Sequence, residues 1–112
     1  MNKLEALEAL LEKVRAGDIN PNSQAEFIGV VNGDYSHVLL RDAYNGSLDA
    51  ALSLHQSVLS GWKWRIASDE SAWTDRSFNL RRVGYRGSCP DMPARSLLTA
   101  ILQALIAQER WE

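Results

Sequence analysis

Side chains able to do chemistry are sparse in this chain of 112 residues, which has two histidines, His37 and His55, and one cysteine, Cys89. A thiol nucleophile needs a base within hydrogen-bond reach. Cys89 sits in the loop "GSCPDMP", where a reactive thiol is conceivable, but nothing in the spacing pairs it with His55. His55 falls in the middle of an apolar helical stripe, the place of a core histidine holding one hydrogen bond. His37 has no evident partner. Two histidines and one cysteine are too few for a conventional structural zinc site. The spacing Asp18-x-Asn20-x-Asn22 matches the opening of a calcium loop, but Ser23 stands where the glycine is required and Gly29 where the closing glutamate is required. There is no G-x-S-x-G, P-loop, G-x-G-x-x-G or C-x-x-C. The carboxylate pair Asp69-Glu70 reads as a solvated turn. These residues describe a non-enzymatic protein with no metal and no cofactor; a small enzyme using Cys89 or His55 is the distant alternative.

A second constellation concerns binding. "LSGWKWRIASDESAWT" places three of the four tryptophans, Trp62, Trp64 and Trp73, within twelve positions, with Lys63 and Arg65 interleaved. The formal net charge is −2, but residues 1–60 carry eight acidic against four basic side chains, and residues 61–87 carry six basic against three acidic. Overall charge therefore gives no general attraction to nucleic acid or to an anionic membrane. One stretch of the chain is nonetheless basic.

The elements that position these residues follow from periodicity. Leu4, Leu7, Leu11 and Val14 are spaced for one helical stripe over residues 3–16, with Glu5, Glu8 and Glu12 opposite and Gly17 as the stop. Ser23 and Glu26 can form a capping box, and "FIGVV" after them reads as either helix or strand. Residues 35–44 read as a helix. Ser47 is an N-cap for a helix over 48–59, whose inner face is Leu48, Ala51, Leu52, His55, Val58 and Leu59. After Gly61 the period changes from 3.6 to 2, the mark of a half-buried strand. A short strand around Ala72–Thr74 and a third from Phe78 to about Arg86 follow, with a β-bulge near Arg81–Arg82 to explain a slip in alternation. Asp91 is a candidate cap and Pro93 the first turn of a last helix, 93–109. Its apolar residues, Leu97, Leu98, Ile101, Leu102, Leu105 and Ile106, cover about half the circumference and call for more than one neighbour.

The expected fold is one α+β domain, a three-stranded antiparallel meander with helices packed on it. Residues 1–40 form a helical N-terminal region and 41–109 a helix–three strands–helix core. Aromatics in period-2 register read as core, so Trp62, Trp64, Trp73, Phe78 and Leu80 are expected beneath the last helix. Lys63, Arg65, Arg81 and Arg86 then form a basic face on the other side, a candidate contact for phosphates. The element order is that of a double-stranded-RNA-binding domain, but "DMPARS" offers only Arg95 where that family has a lysine cluster. The narrow seam Leu4, Leu7, Leu11 and Val14 packs either at home or on a second copy. A weak or moderate homodimer dependent on Leu7 and Leu11, with Trp111 adding surface, is the expectation.

Three segments, "RDAYNGSLDAALSLHQSVLSGWKWRI", "SAWT" and "PARSLLTAILQALIAQE", resemble small proteins encoded by phages and prophages, the phage alpha-beta-alpha sandwich group. In that group a "SLDAA" helix runs into a "GW-W" strand and the chain ends in a "PARALL"-like helix. The resemblance covers roughly residues 41–109 and leaves 1–40 outside. It implies a sheet with helices on both faces, which would cover Lys63 and Arg65 at least in part, and it brings no activity or cofactor. Together these readings give a phage-encoded accessory protein in the bacterial host cytoplasm, without a membrane span, acting through protein–protein contacts. The alternative is a nucleic-acid-binding module using the basic sheet face.

Overall fold

The sequence's change of period at Gly61 divides helices from sheet. The computed structural model describes residues 3–17, 36–67, 71–78, 81–89 and 92–111. Within them the order is α1 (Lys3–Ala16), α2 (Ser36–Tyr44), α3 (Leu48–Val58), β1 (Lys63–Ile66), β2 (Ser71–Phe78), β3 (Arg81–Ser88) and α4 (Pro93–Trp111). This is the expected α+β architecture with an antiparallel meander, strand order β1-β2-β3. The calcium-like spacing, the capping box, "FIGVV", Asp69-Glu70 and Asp91 lie outside the described residues, as do the side chains of His37, Phe78, Leu80, Arg81 and Trp111.

Local signals act where the sequence puts them. The Ser47 hydroxyl accepts a hydrogen bond from the Ala50 amide at 3.2 Å and opens α3. Gly61, at φ +85°, takes the left-handed conformation that turns the chain from α3 into β1. Pro93 is the first residue of α4, and the Met92 carbonyl accepts the first turn's bond from Ser96 at 2.9 Å.

The strands differ from expectation in their limits. β2 and β3 pair one to one from Ser71↔Ser88 to Phe78↔Arg81. That unbroken register leaves no bulge at Arg81–Arg82. The slip in alternation is instead the boundary between two strands: Phe78 ends β2 and Arg81 begins β3, with two residues connecting them.

α4 is the hub of the packing. It lies against β2 and β3 on one side and against α1, α2 and α3 on its others. Its six apolar residues are all buried, Leu97, Leu98, Ile101 and Leu102 completely. The approach to the sheet is close because the residues in contact are small. A Cβ at Gly87 would collide with the Ser96 carbonyl oxygen and the Thr99 hydroxyl. Gly87 pairs across the ladder with Ala72, which is fully buried. Side chains directly opposed in a ladder share a face, so Ala72, Thr74, Tyr85 and Gly87 mark the face under α4. α3 reaches the same face at Thr74, and α1 meets Tyr85 across a cleft.

This layering bears on three expectations. The described helices gather on one side of the sheet, so the two-sided cover implied by the resemblance is not seen among them; Lys63 and Arg65 are exposed. Trp64 does share the α4 face through its partner Thr74, but it is 49% exposed, because β1 lies at the margin of the helical layer. Trp73 has the opposite parity, pairs with Arg65 and Arg86, and belongs to the outer face. The α1 seam is filled at home: Leu7, Leu11 and Val14 are buried against α4 with Leu10, and Leu4 packs beside them. Among the described residues the apolar side chains of this seam are used within the chain.

Two outcomes follow. Gly87→Ala is expected to lower stability by about 3 kcal/mol or more, because backbone and a bonded hydroxyl must give way; the midpoint of denaturant unfolding measures it. Leu7→Glu with Leu11→Glu is expected to unfold the chain rather than to change its oligomeric state, as circular dichroism beside light scattering will show.

Candidate functional site

Hydrogen bonding along β1 decides which of its groups face outward. The Ala67 amide donates to the Ser71 carbonyl at 2.9 Å, and that pair continues the β1–β2 register. Bonded and non-bonded pairs alternate along an antiparallel ladder. Arg65 and Lys63 therefore bond to Trp73 and Asp75, while Trp64 and Ile66 turn their amides and carbonyls away from β2.

On the outer face, one row of the ladder runs Arg65–Trp73–Arg86. The Arg65 guanidinium lies 4.7 Å from the centre of the Trp73 ring and that of Arg86 5.2 Å from it. Each such contact is worth about 0.5–1 kcal/mol at an exposed site. Trp73 thus holds two long cationic side chains near one place on the sheet, and Lys63 extends the patch one row on. Arg65, Arg86 and Lys63 are exposed, while Asp75, opposite Lys63, is buried. Of the four predicted phosphate contacts, the fold unites these three. Arg81 begins β3 opposite Phe78, at the other end of that strand from Arg86.

The three tryptophans therefore occupy three environments. Trp62 is half-buried on the α4 side, stacked on Tyr85 with ring centres 6.2 Å apart, and the Arg76 guanidinium lies 4.9 Å from its ring. Trp64 is exposed and Trp73 sits between arginines. The signal for Trp73 was present in the sequence: Ala72 and Thr74, small and of one parity, mark the close helix contact, which sends the residue between them outward.

The catalytic candidates have structural partners. His55 Nε2 lies 2.6 Å from the Thr74 hydroxyl oxygen, both buried, and ties α3 to β2. Cys89 is bound through its backbone: its amide donates to the Ser96 hydroxyl at 2.8 Å, and that hydroxyl donates to the Cys89 carbonyl at 3.2 Å. Burial pushes the Cys89 thiol above its usual pKa, against the pull of Arg95 and Arg15. A raised thiol is the reverse of an activated nucleophile. Arg95 donates from Nε and Nη2 to the Tyr44 carbonyl at 3.1 and 2.9 Å and lies over the Tyr44 ring, so it clamps the end of α2 to α4. That engagement removes it as a counterpart of an RNA-binding lysine cluster.

Between α1 and α4 an open cleft of about 420 Å³ is lined by Glu8, Glu12, Arg15, Arg110, Tyr85 and Gln103, among others. Glu8 and Arg110 pair across it at 3.2 Å. Its charges alternate in sign and present no single field to a ligand. Among the described residues no group of three or more His, Cys, Asp and Glu is placed to hold a metal ion, and no helix is long and apolar enough to cross a membrane. No protein-family model, curated protein or solved structure matches the chain.

The buried histidine sets a pH dependence. Burial lowers the pKa of His55 from its ordinary value of 6.5. The unfolded chain therefore takes up a proton first as pH falls. The stability tied to the neutral ring is full above the unfolded value and declines as pH falls through it towards the folded value. Denaturation midpoints are expected to drop between about pH 7 and pH 5, with a smaller drop in His55→Leu.

Proposed function

We propose that this chain is a non-enzymatic binding protein that acts through protein–protein contacts at the β1 margin of its sheet. The observation that carries this reading is Trp64, 49% exposed on a marginal strand between the exposed Lys63 and Arg65. Interface hot spots are enriched in tryptophan and arginine, because both cover a large area with few internal freedoms. The non-enzymatic part is supported by the engagement of His55 with Thr74 and by the raised thiol of Cys89. The resemblance of residues 41–109 to small phage and prophage proteins supports an accessory role in the cytoplasm of an infected or lysogenic bacterium.

A second reading has its own observation. Lys63, Arg65 and Arg86 stand exposed around Trp73, a cationic surface of the kind that contacts phosphates. Against it stand the net charge of −2 and the commitment of Arg95 to Tyr44.

One comparison separates the readings. Tagged wild-type protein and Trp64→Ala are purified from phage-infected host cells; a stoichiometric protein partner is expected with wild type and not with Trp64→Ala. Because the indole is half exposed, Trp64→Ala should cost only about 1 kcal/mol, well below the loss for a core tryptophan, and remain folded. A partner retained by folded Trp64→Ala contradicts the proposal. Retention of wild type on DNA or RNA at about 50 mM salt, lost steeply with added salt and lost in Arg65→Glu/Arg86→Glu, establishes the second reading in its place.

A further inference from the structure

We infer that the outer edge of β1 is a strand-addition site for an extended partner segment that alternates acidic and apolar residues. The inference rests on the protein-contact reading above and specifies its mode.

A sheet edge accepts another strand through its outward amides and carbonyls. On β1 these belong to Trp64 and Ile66, since Lys63 and Arg65 bond inward to β2. The other edge of the sheet is different. In the row where Arg65 bonds Trp73, Arg86 is turned outward, and its carbonyl accepts a hydrogen bond from Gln103 Nε2 of α4 at 2.6 Å. α4 lies along β3 and takes up that carbonyl with its own side chain.

Charge selects the occupant. A second copy of β1, antiparallel about a two-fold axis at Trp64, would set Lys63 directly opposite Arg65. Centred at Arg65, it would set Arg65 against itself. Like charges directly opposed disfavour pairing. An incoming strand is favoured when its residues beside Lys63 and Arg65 are acidic. On the other face its side chains lie beside the exposed Trp64 indole, which an apolar residue covers. Alternation of strand side chains makes these two demands one sequence pattern, acidic and apolar in turn. β1 is four residues long, so a segment of about five residues spans it.

The test uses a synthetic nonapeptide alternating glutamate and valine, with an alternating lysine–valine peptide as control, titrated into the full ¹⁵N-labelled chain. The glutamate peptide is expected to shift the Trp64 and Ile66 amide signals and slow their exchange, and the lysine peptide is not. Trp64→Ala keeps the outward amide and loses the indole; Trp64→Pro loses both without removing a β1–β2 bond. Trp64→Pro is expected to bind the glutamate peptide at least about tenfold more weakly than Trp64→Ala. Lys63→Glu/Arg65→Glu is expected to exchange the peptide preference, and it decides the matter if Trp64→Pro does not fold. Equal affinity for the two peptides, binding of neither, or no difference between folded Trp64→Pro and Trp64→Ala overturns strand addition. Any of these results beside a Trp64-dependent partner from host cells leaves the protein-contact reading standing. Peptide binding without such a partner counts against that reading alone.

Discussion

Gly87 lets α4 approach β3 so closely that one added carbon would strike the Ser96 carbonyl and the Thr99 hydroxyl. The row across the sheet continues the theme, with Ala72 opposite Gly87 and Thr74 one row on, both fully buried. On the helix side the facing residues are Ser96, Thr99 and Ala100, also buried. Small residues on both surfaces bring backbones together, and polar side chains are tolerated because they bond locally: Thr99 to the Ser96 carbonyl at 2.7 Å, Ser96 to Cys89. Seated so near the sheet, α4 still has apolar residues on its remaining sides. α1, α2 and α3 cover those sides, so the hydrophobic cluster centres on a helix.

That placement explains the outer face and the margin. The apolar side chains of the described helices are used on one side of the sheet, around α4. β1 belongs to the sheet by hydrogen bonding, but it stands beyond β2 at the limit of the helical layer, where Trp64 keeps half its surface in water. On the other face, Trp73 has arginines as neighbours, and the cations sit against its ring while their charge stays hydrated. A basic, tryptophan-bearing surface thus results where the core ends.

Much of the fold was legible in the sequence. α1 carries a clear stripe and a glycine stop and has the limits read from them; Ser47 caps α3; the wide apolar face of α4 meets several neighbours, as its width requires. His55 is the hydrogen-bonded core histidine its position suggested. Two features were hidden. The β2–β3 connection lacks glycine or proline, so Phe78 through Arg86 read as one strand with a bulge. Period-2 alternation tells which side chains share a face but not how far the opposing layer extends, so Trp64 read as core. That limit is set by contacts distant in sequence, above all Gly87 with Ser96 and Thr99. Two members of the basic row, Arg65 and Arg86, can be named from sequence; the outward place of Trp73 between them rests on a fainter signal, the small residues Ala72 and Thr74 on either side of it.

Amide hydrogen exchange, resolved residue by residue in the wild-type chain, tests the central claim that the described helices cover one side of the sheet and that, among the described residues, none pairs with the outer edge of β1. The expected pattern has the slowest exchange in α4, from Leu97 to Ile106. Along β1 it alternates, with Lys63 and Arg65 protected by their bonds to β2 and Trp64 and Ile66 exchanging many-fold faster. Uniform protection across the four β1 amides, or slower exchange at Trp64 than at Arg65, would contradict an open edge and with it the placement of the binding surface.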